Sequence, residues 1–184
     1  MKEVITESVK ILEKGGVILY PSDTIWGIGC DATNEKSIKK IYGIKNRPED
    51  KPLIILVNDI NMLSKYIVEI PEKVKNLISQ IKQPTTIIYS KPVNLPNILT
   101  KTDSIAIRVT NDLYCKEVIR KLNKPIVSTS ANISTKKIPK NFKEINTQIK
   151  KMVDYIAKHK TEMELTKPSK ILKINSNNEI EVIR

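Results

Sequence analysis

Lys45 and Arg47 stand two residues apart in the run Lys45-Asn46-Arg47-Pro48. In an extended segment that spacing turns both side chains the same way, and Pro48 biases Arg47 toward extended backbone. A lysine point charge beside a planar guanidinium fork makes a clamp for phosphate or carboxylate. The same pair also reads as cations ending a helix, where they complement the dipole by about 0.3–1 kcal/mol. For a bare K-x-R in a Lys-rich chain the second reading is the better one. Three more polar clusters close apolar runs. Pro21-Ser22-Asp23-Thr24 follows Val17 to Tyr20 and reads equally as a turn, with Asp23 as a cap. Ser128 to Asn132 offers small hydroxyl and amide groups, suited to a phosphate chain and to ordinary ST- and Asx-turns alike. Arg108 is the last but one residue of the apolar run Ser104 to Val109. Burying its charge alone is costly, so it is expected to be paired or ligand-facing. Arg184 reads either as a solvated tail or as a late contact.

Composition narrows the chemistry. The 184 residues carry 32 Lys plus Arg against 20 Asp plus Glu, a formal net charge of +12. That charge fits a polyanionic partner, nucleic acid or nucleotide. Yet 28 of the basic residues are Lys and only 4 are Arg, and Ile and Asn are abundant as well. A/T-rich codons account for all three residue types without any partner. The single His159 lies in a Lys-rich stretch, which argues against Ser-His-Asp and Cys-His catalysis and against a His-ligated metal. Cys30 and Cys115 stand alone, so neither a redox pair nor a disulfide framework is expected. With 5 Gly and no GxxxxGK[ST] or GxGxxG, a Gly-rich phosphate loop cannot be built. No apolar run approaches the roughly 20 residues of a membrane span, and no signal-like apolar region opens the chain. A cytoplasmic enzyme or binding protein is expected.

The elements that must position these clusters follow from periodicity. Val4 to Glu13 predicts a helix stopped at Gly15-Gly16, and Asn34 to Ile44 a second one capped by Asn34. Helices are also predicted around Ile60–Ile67 and Pro71–Ile81, and from an Asn111 cap to Leu122. Strands are predicted at Val17–Tyr20, Leu53–Val57, Thr85–Tyr89, Ser104–Val109, Pro125–Thr129, Val153–Ala157, Ser169–Ile174 and Glu179–Ile183. No repeat or composition break divides residues 1–184, so a single domain is expected. Alternating strands and helices imply an α/β, three-layer architecture, partly antiparallel where late strands are joined by short turns. The polar clusters all fall at strand ends, where open α/β sheets bind ligands.

In their order and spacing these clusters resemble the YrdC-like family of threonylcarbamoyl-adenylate synthases. The family signature runs GG-x4-PTDT-x-YGLG, KxRP-x2-KPL, a strand ending in Arg, and STSAN. Here it reads Gly15-Gly16, Pro21-Ser22-Asp23-Thr24-Ile25-Trp26-Gly27-Ile28-Gly29, Lys45-Asn46-Arg47-Pro48, Lys51-Pro52-Leu53, Ile105-Ala106-Ile107-Arg108 and Ser128 to Asn132. Ser22 replaces the usual Thr and Trp26 the usual Tyr. Ser134-Thr135 stands for the family's Ser-Gly, and Pro168-Ser169-Lys170 for its STV-like run.

The resemblance implies a twisted, mixed parallel and antiparallel open sheet of about seven strands flanked by helices. It implies a catalytic tetrad of Lys45, Arg47, Ser130 and Asn132 around the nucleotide phosphates. Lys51, Ser104, Ile138 and Arg184 would join Arg47 and Ser130 on the ATP side. Thr24 and Arg108, with the backbone at Ser128 and the side chain of Ser169, would hold L-threonine, Arg108 as the partner of its carboxylate. The implied reaction joins ATP, L-threonine and bicarbonate into threonylcarbamoyl-AMP and pyrophosphate, a nucleotidyl transfer. Such transfer rests on positioning and charge neutralisation, not on a protein nucleophile. Mg2+ is expected with the triphosphate, held mainly by substrate oxygens and water, with Asp23 as the one acid placed to help and no resident metal site. A tRNA threonylcarbamoyl transferase complex is expected to receive the product, and weak binding to tRNA or other RNA is compatible with the charge. The rival reading is an RNA-binding protein with a basic concave face and no turnover. One Phe, one Trp and six Tyr leave little for base stacking.

Overall fold

The computed structural model describes residues 1–165, 167–175 and 179–184. Helix α1 (Lys2–Glu13) buries Ile5, Val9 and Leu12 on one stripe and ends at Lys14. Gly15 then takes a left-handed φ of 75°, a conformation that costs glycine least. Its N–H and that of Gly16 return to the carbonyls of Leu12 and Ile11, closing the helix as the glycine pair predicts. Strand β1 (Ile18–Pro21) turns through Ser22–Ile25 into β2 (Trp26–Gly29), which pairs with it antiparallel. Helix α2 (Glu35–Lys45) starts where Asn34 accepts the Ser37 N–H and stops at Asn46 in the left-handed region.

Strand β3 (Ile54–Val57) leads to the single turn α3 (Ile60–Leu63), then α4 (Glu72–Gln80) and β4 (Thr85–Ser90). A short α5 (Asn97–Thr100) precedes β5 (Ser104–Val109), α6 (Leu113–Leu122) and β6 (Ile126–Ser130). After α7 (Thr147–Met152) come β7 (Tyr155–Ile156), β8 (Lys170–Ile174) and β9 (Ile180–Val182). The cap of α6 is Asp112, which accepts the Cys115 N–H at 2.9 Å, and not the expected Asn111. The helix expected over Ile60–Ile67 is shortened to α3.

The sheet order is β7-β1-β2-β6-β3-β5-β4-β8-β9, nine strands among the described residues where about seven were expected. The strand without a sequence signal is β2, hidden behind a turn-forming run and carrying two glycines. Pairs β3–β5, β4–β8 and β1–β7 are parallel and the rest antiparallel. This is the mixed open sheet that the resemblance implied. Helices flank it: α1 packs on α6, and α2 on α7.

Alternation along paired strands sorts side chains by face. Tyr20, Gly27, Gly29, Ser128, Ser130, Ile54, Leu56, Arg108 and Thr86 share one face, as the registers of Tyr20 with Gly27, Gly27 with Ser130, Ile54 with Ser128 and Leu56 with Arg108 require. The opposite face carries Ile28, Ile55, Val57, Ile107 and Val127, all buried. The glycines of β2 have a steric reason. A Cβ on Gly29 would stand 2.5 Å from the Val127 carbonyl oxygen and 2.9 Å from Cε1 of Tyr20, whereas one on Gly43 would meet nothing within 4 Å.

Gly29→Ala is therefore expected to destabilise the protein by about 1–3 kcal/mol through overpacking. Gly43→Ala, on an open helical surface, is expected to be neutral or stabilising by up to about 1 kcal/mol. Urea unfolding of both variants reads the contrast.

Candidate active site

On the face that carries Arg108 a cleft opens, lined by Thr24, Arg108, Ser128, Ser130, Ser169 and Arg184, with Ile54 and Leu56. All four residues expected to hold threonine therefore meet in one cavity, together with Ser130 and Arg184. They come from the β1–β2 turn, β5, β6 and the approach to β8, and only the sheet brings them together.

Arg108 is 4% exposed. Its Nη1 lies 3.1 Å from Asp23 Oδ1 and 3.3 Å from Thr24 Oγ1. The carboxylate neutralises the guanidinium at ion-pair distance, yet Oδ1 of Asp23 is buried without an aligned hydrogen bond. Thr24 is held by Ser22. The Ser22 hydroxyl donates to the Ile25 carbonyl at 2.8 Å, accepts the Thr24 N–H at 3.1 Å and lies 2.9 Å from Thr24 Oγ1. The hydroxyl that replaces the family's Thr at position 22 thus organises the turn beneath the cleft. Ser169 pairs with Thr86 at 2.8 Å, and Arg184 donates through Nη2 to the Ser169 carbonyl at 3.1 Å.

Lys45 meets the end of β6 outside the cleft lining. It is 1% exposed at the C-terminus of α2. Its Nζ donates to the Ser130 carbonyl, to the Asn132 carbonyl at 2.7 Å and to Asn132 Oδ1 at 3.2 Å. The Ser130 hydroxyl donates to the same Oδ1 at 2.6 Å, and the Ser134 N–H to the Lys45 carbonyl at 2.7 Å. Lys45, Ser130 and Asn132 thus form one knot that pins helix α2 to the end of β6. Burial, reinforced by the nearby Arg47 charge, lowers the Lys45 ammonium to about 7.

Arg47 lies next to this knot in sequence but turns elsewhere. Its Nη2 donates to the Pro52 carbonyl at 2.8 Å, and its Nε is buried without a partner. Lys51 is exposed, and its carbonyl accepts the Tyr42 hydroxyl at 3.0 Å. Ser104 sits at the opposite end of β5 from Arg108, 2.9 Å from the Thr102 hydroxyl. Ile138 is 39% exposed. None of Lys45, Arg47, Lys51, Ser104, Asn132 and Ile138 lines the cleft.

Two residues that shape the cleft escaped the reading of the chain. Thr86 supports Ser169. Tyr20 lays its ring across β2, with Cζ 3.3 Å from the Cβ position of Gly27, and its hydroxyl reaches Ser128 Oγ at 2.8 Å. The spacing Gly27-x-Gly29 beside a strand ending in Tyr was the available signal, since two glycines on one face leave room for a ring.

Comparison with known proteins follows the same outline. The Sua5/YciO/YrdC family model, described as telomere recombination, matches residues 10–184. A Methanocaldococcus jannaschii protein named putative threonylcarbamoyl-AMP synthase is 36% identical over 183 residues, covering 98% of this chain and 85% of the relative. The threonylcarbamoyl-AMP synthase of Pseudoalteromonas translucida is 33% identical over 158 residues, 84% of each chain. The structure of a doubly substituted P. abyssi Sua5 superposes with a TM-score of 0.88 at 25% identity, covering 98% of this chain and 55% of that one. The chain thus spans about half the length of that structure.

Lys45 should make stability depend on pH. A lysine whose folded-state value lies below its unfolded value of 10.5 binds fewer protons when folded. Its contribution is therefore unfavourable below about pH 7 and is relieved as pH rises from about 7 toward 10.5. Chemical denaturation across that window is expected to show a rising stability that Lys45→Met flattens.

Proposed function

The chain belongs to the Sua5/YciO/YrdC family, and from that premise we propose that it is an L-threonylcarbamoyladenylate synthase. It joins ATP, L-threonine and bicarbonate into threonylcarbamoyl-AMP and pyrophosphate, with residues 1–184 acting as one domain. The observation that carries this reading is the single cleft in which a buried guanidinium, Arg108, faces the hydroxyls of Thr24, Ser128 and Ser130.

In the proposed reaction the threonine amine, having released its proton, forms a C–N bond to the carbon of bicarbonate with loss of water. An oxygen of the resulting carbamate attacks the α-phosphorus of ATP, and the bond to pyrophosphate breaks. Arg108 takes the threonine carboxylate, and Thr24, Ser128 and Ser169 complete the amino-acid side. Ser130, Asn132 and Arg47 act on the phosphates, and Lys45, whose ammonium is engaged by Ser130 and Asn132, acts through them. The free Nε of Arg47 is a donor to spare, while Lys45 serves as the brace that holds Ser130 and Asn132 in place. Lys51, Ser104, Ile138 and Arg184 complete the ATP side. Charge neutralisation by positioned donors is the chemistry such displacement requires.

The chain's own donors do not fit a resident metal. Among the described residues no three His, Cys, Asp or Glu gather at metal-ligating distance, and Asp23 is engaged by Arg108. Mg2+ accordingly enters as part of the substrate, bound to ATP. The product passes to an enzyme that transfers its threonylcarbamoyl group to tRNA, and the net charge of +12 favours weak contact with that RNA. Among the described residues no helix is long and apolar enough to cross a membrane, and we assign the protein to the cytoplasm.

Purified protein is expected to release pyrophosphate from ATP only when threonine and bicarbonate are both present. Salt-sensitive RNA binding without such release would overturn the proposal in favour of the binding protein. Arg47→Ala should lower turnover at least about tenfold, because a charge-assisted contact contributes roughly 1.5–3 kcal/mol. Arg108→Ala should chiefly raise the threonine requirement; a selective loss of ATP affinity would reverse its assignment.

A further inference from the structure

Ser128 is the one cleft hydroxyl recorded with a buried tyrosine as its partner. Tyr20 is fully buried, and a buried phenol needs a hydrogen-bond partner. It donates to Ser128 Oγ at 2.8 Å. The ring has little freedom to do otherwise. One side lies over Gly27 and Gly29, where any Cβ would strike it. Tyr114 of α6 packs against it, ring centroids 5.9 Å apart, and is itself anchored by a hydrogen bond of 2.7 Å between its hydroxyl and that of Ser8. Burial also raises the Tyr20 pKa well above its ordinary value, so the phenol stays protonated and remains a donor.

A serine hydroxyl has one proton to give and two lone pairs to offer. With a lone pair of Ser128 taken by Tyr20, and no acceptor for its proton among the described residues, the remaining direction is the cleft that Ser128 lines. We propose that Tyr20 is a positioning residue: its hydroxyl fixes the polarity of Ser128, so that Ser128 gives its proton to an oxygen of the substrate's carboxylate. The inference rests on the reading of this cleft as the threonine side. Arg108 and Ser128 then present two donors to an oxyanion, while Asp23 balances the guanidinium charge.

Pyrophosphate-release kinetics with threonine and ATP varied separately test this in Tyr20→Phe, Ser128→Ala and the double variant. The Phe ring still fills the space above the glycines. Each single substitution is expected to raise the KM for threonine about tenfold, with little change in the KM for ATP. The double variant should be no worse than Ser128→Ala, since Tyr20 acts only through Ser128. An unchanged threonine KM in Tyr20→Phe, or additive losses in the double variant, would overturn the role of Tyr20. An unchanged threonine KM in Ser128→Ala would instead overturn the reading of the cleft. Should Tyr20→Phe fail to fold, Ser128→Ala is assayed against L-threoninamide, in which an NH2 replaces one carboxylate oxygen. Its preference for threonine over the amide should fall about tenfold relative to the unsubstituted protein, and an undiminished preference would overturn the assigned polarity.

Discussion

A guanidinium cannot be left alone away from water, and the buried Arg108 organises much of what surrounds it. Its neutralising carboxylate, Asp23, and its hydroxyl neighbour, Thr24, arrive from the β1–β2 turn. That turn lies on the far side of β6 and β3 in the sheet order. Removing one partner from a buried charge is far more costly than never burying it. The network around Ser22, which bonds to both the backbone and the hydroxyl of Thr24, keeps that partner in place. The turn is thus fixed by the needs of a residue 84 positions away in sequence.

Lys45 applies the same constraint with the opposite solution. Among the described residues no carboxylate meets it; oxygens of Ser130 and Asn132 do. Neutral acceptors stabilise the ammonium less than a carboxylate does, which is in keeping with a value lowered by burial. In exchange, the end of β6 and the loop beyond it are locked to α2 by both the side chain and the backbone of one residue. The two buried cations thus frame the cleft, one tied by charge and one by geometry.

What was legible in the chain follows the range of the forces involved. Local signals such as Gly15-Gly16, Asn34 and the apolar runs of β3 and β5 marked elements to within a residue or two, because caps and periodicity act over a single turn. The α6 cap went to Asp112, whose carboxylate also pairs with Lys160 at 2.9 Å; that long-range partner carries no local mark. Strand β2 was missed because its pairing with β6 and the Tyr20 ring make sense of its glycines only in three dimensions. Arg108, Ser128 and Ser130 were visible as polar residues at strand ends. That Lys45 would be among the most buried side chains was not, since helix-end lysines usually reach water.

The cleft has walls from both ends of the chain. Thr24 belongs to the first hairpin, whereas Ser169 enters with β8, which lies between β4 and β9 in the sheet. Contacts of such sequence separation carry a loop-closure cost that local structure does not. The wall that Ser169 supplies therefore exists only where β8 has paired with β4. A ligand held between the two walls stabilises that long-range pairing by mass action, tying the far end of the sheet to occupancy of the cleft.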